Sequence, residues 1–220
     1  IQRQFHHVVR CVPGAGQIVY RHGVQAIEET LAMGCWTPVT SFGIGEASAA
    51  DWRAQLLAED GSAFRVLPPG SEPSDVQWSH CGQHNVENAL AALAAARHVG
   101  VAPALAALAL KQFHGVKRRL ELLGSPGDVA VYDDFAHHPT AIATTLQGLR
   151  ARAGKGRVIA LVEPRSNTMR MGEHREQLAS ATAAADCVYW FQPPGIDWSL
   201  ESVVAASLVP ASVVDDVDEL

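Results

Sequence analysis

The feature that most constrains this chain is the rhythm of its second half. Beyond Gly115, short apolar runs alternate with stretches of helical periodicity. Strands are expected over 119–123, 129–132, 158–162 and 187–191, with helices over 139–152 and 170–185. Strand, helix, strand, helix, strand is the order of a parallel sheet with helical crossovers, because parallel neighbours cannot be joined by a tight turn. Val158-Ile159-Ala160-Leu161-Val162 is apolar throughout and reads as a buried strand. The fold class is therefore α/β.

In sheets of this kind, ligands bind beyond the carboxyl ends of the strands. Two neighbouring strand candidates end in polar clusters of suitable chemistry. Tyr132 runs into Asp133-Asp134-Phe135-Ala136-His137-His138-Pro139, and Val162 into Glu163-Pro164-Arg165-Ser166-Asn167-Thr168. A carboxylate there can accept hydrogen bonds from ribose hydroxyls, and an arginine can grip a carboxylate or phosphate through two parallel hydrogen bonds. Plainer readings stand beside these: Asp133-Asp134 as a solvated strand end, and His138-Pro139 as a helix N-terminus. Adjacent histidines point apart on most backbones, so His137-His138 makes no metal pair, and no other metal ligands stand out.

The first half is more mixed. Ile1, Phe5 and Val8-Val9 recur at helical spacing, and Pro13-Gly14-Ala15-Gly16 makes a turn before a strand over 17–20. A short helix over 26–33 stops at Gly34, and strands follow over 39–44 and 62–67. The strongest helix spans 85–99, with Asn85 as its cap, Val86, Leu90 and Leu93 on one face, and Gly100 as its stop. Asn88 shares the face of Asn85. A second helix covers 103–112, with a proline in its first turn. His6-His7 belong to the opening helix as surface or packing residues. A domain boundary falls near His114-Gly115, where Lys117-Arg118-Arg119 places three cations beside a candidate hinge.

The composition narrows the function classes. Acidic residues outnumber basic ones by 23 to 17 across 220 residues, a net charge of −6. That balance argues against non-specific nucleic-acid binding, which needs a basic face. It leaves room for a small anion held by a few local cations. With 48% hydrophobic and 18% charged residues the chain has the material for a core. Cys11, Cys35, Cys81 and Cys187 lie far apart with no C-x-x-C, as in proteins of a reducing cytoplasm. The apolar run over 89–96 is too short to span a bilayer and no signal peptide opens the chain, so a membrane role is not expected.

Three motifs, in order, carry a resemblance. Gly82-Gln83-His84-Asn85-Val86-Glu87-Asn88-Ala89-Leu90-Ala91-Ala92 resembles the G-x-H-N-x-x-N-x-x-A-A segment of the Mur ligases, the ATP-dependent amide ligases of peptidoglycan synthesis. Gly115-Val116-Lys117-Arg118-Arg119-Leu120-Glu121 is similar to their G-x-x-x-R-x-E linker. Asp133-Asp134-Phe135-Ala136-His137-His138-Pro139 resembles the D-D-Y/F-G/A-H-H-P of the muramate–alanine branch. Gln4-Phe5-His6-His7-Val8-Val9-Arg10 and the run from Glu163 to Gly172 are closer to the recycling branch, which joins UDP-N-acetylmuramate to L-alanyl-γ-D-glutamyl-meso-diaminopimelate.

The resemblance implies a division into 1–114, the C-terminal part of a central P-loop-type ATPase domain, and 115–220, a truncated Rossmann-like C-terminal domain with a mainly parallel sheet. It implies that His84, Asn85 and Asn88 serve the adenine, Arg119 the nucleotide, and Asp134 with His137 the ribose region. In the muramate–alanine branch, arginines of the next loop hold the incoming amino acid. Ser166 and Met169 stand in their place here, so Arg165, Ser166, Asn167, Thr168 and Arg170 are acceptor candidates by chemistry alone. No G-x-x-x-x-G-K-S/T occurs, and Gly154-Lys155-Gly156-Arg157 lacks both the spacing and the hydroxyl. The phosphate loop, the Mg2+ ligands and the UDP-sugar domain are accordingly expected upstream, and the family's last strand and glycine-rich loop downstream. By itself this stretch is expected to be inactive, and it offers no catalytic side chain. The expected substrates are ATP, UDP-N-acetylmuramate and the murein tripeptide, in peptidoglycan recycling. The alternatives are a UDP-N-acetylmuramate–L-alanine ligase, a non-catalytic nucleotide-binding α/β module, or a dehydrogenase, which the lack of G-x-G-x-x-G after a strand disfavours.

Overall fold

In the computed structural model, residues 1–45, 47–216 and 218 are described. They form two units, Ile1–His114 and Gly115–Leu220.

The first unit runs α1 (Gln2–Cys11), β1 (Ile18–Arg21), α2 (Gln25–Ala32), β2 (Val39–Ile44), β3 (Trp52–Leu56), β4 (Ala63–Leu67), β5 (Ser74–Gln77), α3 (Gln83–His98) and α4 (Pro103–Leu110). Its sheet has the order β1-β2-β3-β4-β5, parallel through β3 and antiparallel beyond. Helix α3 packs on β1, β2 and β3. Val86, Leu90 and Leu93 are the buried face, meeting Phe42, Trp52, Phe64 and Val66. Each such side chain contributes about 1.5–3 kcal/mol of burial.

Two strands here lie outside the sequence expectation. Strand β3 alternates, with Trp52 and Ala54 inside and Arg53 and Gln55 less buried, and that period was legible. Strand β5 has only Val76 inside and is an edge strand of weak propensity, recruited by the antiparallel register with β4. Helix α3 begins two residues before the expected Asn85, with Gly82 as its N-cap.

The second unit runs β6 (Glu121–Gly124), β7 (Val131–Asp133), α5 (Pro139–Ala153), β8 (Ile159–Val162), α6 (Asn167–Arg170), α7 (Arg175–Ala181), β9 (Cys187–Phe191), α8 (Glu201–Ala205) and β10 (Ala211–Val214). Strands β8, β9 and β10 form a parallel sheet in the order β10-β9-β8. Its core joins Ile142 and Leu146 of α5, Leu178 of α7, Val188 and Trp190 of β9, and Leu200.

Three expectations need correction. Strand β7 hydrogen-bonds to β6 in an antiparallel hairpin, not to β8. The chain reverses between them through two successive left-handed residues, Gly127 (φ 54°) and Asp128 (φ 66°). Strand β8 is only partly buried, since exposed Ile159 and Leu161 flank the buried Ala160. The single helix expected over 170–185 is α6 and α7, separated at Gly172, whose φ of +73° no helix accommodates. The run Asp215-Asp216-Val217-Asp218-Glu219-Leu220 resembles a helix start in the sequence, but Val217, Glu219 and Leu220 lie outside the described residues.

Candidate functional site

In the first unit the candidates sit on the first turns of α3. Gly82 has φ 92°, and the His84 ring lies 2.5 Å from where a Cβ on it would stand, so only glycine lets the imidazole fold back there. Asn85 does not cap the helix. Its Nδ2 donates to Cys81 O at 2.7 Å, fastening the incoming chain to the first turn. Asn88 is exposed one turn on. Between them Glu87 accepts from Arg21 Nε at 2.7 Å. The face that α3 presents at this end is thus an amide, an ion pair and a half-buried imidazole.

In the second unit, the polar end of β7 folds back on the chain before β6. Asp134 is the knot: its Oδ2 accepts from Leu120 N at 2.7 Å and its Oδ1 from Ala136 N at 2.8 Å. Leu120 is buried and left-handed at φ 52°, and Arg118 is left-handed at φ 58°. For non-glycine residues such a conformation costs about 1–3 kcal/mol, and the Asp134 carboxylate offsets it at Leu120. Oδ1 has Thr145 Oγ1 as a second donor at 3.4 Å, while Oδ2 keeps a lone pair for a further one.

The same fold-back gathers cations around one exposed ring. The Arg118 and Arg119 guanidinium carbons lie 5.1 and 5.5 Å from the centroid of Phe135, within cation–π range. Arg118 Nε is also 3.4 Å from Asp133. The His137 ring packs against Phe135 with centroids 5.0 Å apart, and its Nδ1 contacts Phe135 O at 2.9 Å. His138 caps α5 by accepting from Thr140 N at 3.2 Å, with Pro139 at the first helical position. The resulting group is cationic, aromatic and solvent-facing, which suits an anion attached to a planar base. Phe135 is not among the residues singled out from the sequence, where its signal is an aromatic residue in a polar run.

An open cleft of about 520 Å³ extends from Arg118 and Asp133 past Leu146 to Glu163, Arg165 and Ser166. Ser166 Oγ accepts from Met169 N to cap α6 and donates to His137 O at 3.2 Å, tying the two polar strand ends together. The five acceptor candidates part company here. Arg165 is 73% exposed at its side chain, with Glu163 4.0 Å away. Asn167 and Thr168 are exposed on the first turn of α6. Arg170 instead points its Nη2 at the carbonyls of Pro194 and Gly195, at 3.4 and 3.2 Å. Among the described residues, no group of three or more His, Cys, Asp or Glu side chains could hold a metal ion, and no helix is long and apolar enough to cross a membrane.

The second unit is thus an α/β protein with a parallel sheet β10-β9-β8 and, at the end of its antiparallel β6-β7 hairpin, a cluster of arginine and aromatic side chains. Residues 118–220 match the family described as Mur ligase, glutamate ligase domain, and the chain belongs to the Mur ligase family. It is 48% identical over 221 residues to the UDP-N-acetylmuramate–L-alanyl-γ-D-glutamyl-meso-2,6-diaminoheptandioate ligase of Escherichia coli (strain K12), covering 100% of this chain and 48% of that protein. A crystal structure of a murein peptide ligase from Psychrobacter arcticus 273-4 superposes with a TM-score of 0.70 at 42% identity, covering 99% of this chain and 47% of that one. The UDP-N-acetylmuramate–L-alanine ligase of Thermobifida fusca (strain YX) is 38% identical over 152 residues, covering 64% of this chain and 32% of that protein. The chain spans about half the length of the curated relatives it matches.

Proposed function

We propose that this chain is part of an ATP-dependent ligase that joins UDP-N-acetylmuramate to L-alanyl-γ-D-glutamyl-meso-diaminopimelate in peptidoglycan recycling. The observation that carries the reading is the 48% identity, sustained along the whole chain, with a relative of that name. The looser, partial match to an alanine ligase puts that alternative second.

The chemistry needs no nucleophilic side chain. The lactyl carboxylate attacks the γ-phosphorus and ADP leaves. The neutral amine of the tripeptide then adds to the acyl carbon, and the tetrahedral intermediate expels phosphate as the amine gives up its proton. Positioning and electrostatic stabilisation are the whole of the catalytic task. In the proposed assignment His84, Asn85 and Asn88 serve the adenine. Arg119, stacked on Phe135, serves the nucleotide phosphates, while Asp134 and His137 serve the ribose region. Arg165, Ser166, Asn167, Thr168 and Arg170 belong to the acceptor loop. Residues 1–114 are assigned to the central ATPase domain and 115–220 to the C-terminal domain. In this reading the Mg2+ ligands are assigned elsewhere in the longer polypeptide. The setting is the cytoplasm, where UDP-sugars and ATP are found together.

The test is phosphate release by the complete ligase carrying this chain, with ATP, UDP-N-acetylmuramate and either the tripeptide or L-alanine. Turnover should require the tripeptide. Arg119→Ala should lower kcat/KM for ATP about tenfold to a hundredfold, the worth of a charged hydrogen bond of roughly 1.5–3 kcal/mol. Equal use of L-alanine would overturn the substrate assignment, and an unchanged ATP dependence would remove Arg119 from the nucleotide site.

A further inference from the structure

The segment 192–200, between β9 and α8, is fastened at both of its ends and touches loop 163–172 in between. At its start Gln192 N donates to Val214 O at 2.8 Å, which ties it to the end of β10. The Gln192 amide then bridges its own loop: Nε2 donates to Trp198 O at 3.3 Å, and Oε1 accepts from Leu200 N at 3.0 Å. Leu200, wholly buried, plugs the far end into the core. What this closed segment holds is the end of α6. Trp198 Nε1 donates to Arg170 O at 2.9 Å, while Arg170 Nη2 donates back to Pro194 O and Gly195 O. The contact is reciprocal, main chain to side chain in each direction.

Two glycines make the approach close enough. A Cβ on Gly172 would stand 3.3 Å from the Trp198 ring, and one on Gly195 would stand 3.1 Å from Arg170 Nη2. Both glycines have positive φ, at +73° and +79°, so another side chain would be strained there as well as crowded.

The geometry points to segment 192–200 as a strap that sets loop 163–172, with Trp198 and Arg170 as positioning residues and Arg165 as the arginine left to face the acceptor. This rests on the reading of loop 163–172 as the acceptor site. It separates two arginines that the sequence could not rank. Arg170 commits Nη2 to backbone carbonyls of the strap, whereas Arg165 projects at the rim of the cleft with the Glu163 carboxylate 4.0 Å away. Nη2 belongs to both pairs of nitrogens with which a guanidinium can grip a carboxylate bidentately, Nε with Nη2 and Nη1 with Nη2, so its engagement handicaps Arg170 for that role.

Two measurements test the strap, the first without any ligand. In this chain, Trp198→Phe keeps the ring against Gly172 and removes only the donor. Amide hydrogen exchange at Arg170, Met171 and Gly172 should quicken about fivefold to tenfold, as expected for one lost hydrogen bond. Arg170→Lys, which keeps the charge and loses the fork, should quicken the same amides, and Arg165→Lys should leave them unchanged. In the complete ligase, Trp198→Phe and Arg170→Lys should raise the tripeptide KM several-fold while kcat and the ATP KM hold. Unchanged exchange in both Trp198→Phe and Arg170→Lys would overturn the strap. Faster exchange with wild-type tripeptide KM would overturn its positioning role. A wild-type enzyme indifferent to the tripeptide would instead strike the acceptor reading, and the exchange result would still decide whether the strap exists.

Discussion

Replacing Asp134 by Asn should destabilise the second unit, because the carboxylate is a structural knot before it is a ligand. It accepts from Leu120 N at 2.7 Å and Ala136 N at 2.8 Å, with Thr145 Oγ1 more distant at 3.4 Å. An asparagine has one acceptor oxygen, so one backbone N–H keeps a neutral acceptor and the other faces the new NH2 group. The loss is one charge-assisted hydrogen bond, roughly 1.5–3 kcal/mol, plus the weakening of the second. Partial exposure lets water replace some of this, which brings the expectation to about 2 kcal/mol. For a unit of about a hundred residues, that corresponds to a fall of about 8–10 °C in its melting midpoint. The assay is calorimetry of wild type and Asp134→Asn at pH 7, with hydrogen exchange at Leu120 as the local reporter. Leu120 should lose protection most, because its left-handed conformation has no other support in the hydrogen-bond pattern around Asp134. A midpoint within about 2 °C of wild type, with Leu120 still protected, would refute this reasoning and leave Asp134 to ligand binding alone.

The ion pair between Arg150 and Asp186 gives a pH-dependent test. The Arg150 guanidinium, with Val158 N–H second, holds the Asp186 carboxyl below the usual carboxylate range. A lowered folded pKa means the contribution is fully present above the unfolded value of about 3.9 and is lost as pH falls through the folded one. The melting points of wild type and Arg150→Ala should therefore differ most near pH 7 and draw closer as pH falls through the lowered folded pKa, leaving the part owed to the Ala184 and Gly156 carbonyls that Arg150 also bonds, and a gap constant with pH would contradict it. In the first unit, Leu90→Ala removes a fully buried side chain of α3 and should cost about 2–5 kcal/mol in urea unfolding. Leu105→Ala on the exposed face of α4 should stay within about 0.5 kcal/mol, and equal losses would deny the core its place.

Local periodicity was enough to determine the parts of this protein whose partners are themselves. The buried face of α3 follows from the spacing of Val86, Leu90 and Leu93, and α5 starts at Pro139 because proline suits a first helical turn and His138 can cap it. The parallel order of β8 and β9 was legible because a helix-length crossover separates them. The family resemblance, too, was written in residue types at fixed spacings. The partners of most polar groups were decided only in the folded structure. Asn85 has the chemistry of a cap, but the carbonyl of Cys81 four residues back took its amide. Strand β7 could have paired with β8 by apolar pattern, and the left-handed reversal at Gly127 and Asp128 gave it to β6. Arg165 and Arg170 are indistinguishable as letters in one loop. Carbonyls 24 and 25 residues away engage the second and leave the first exposed. Burial faces repeat with the period of the backbone and so show in one dimension, whereas a hydrogen bond is a meeting of two points whose separation along the chain leaves no period to read.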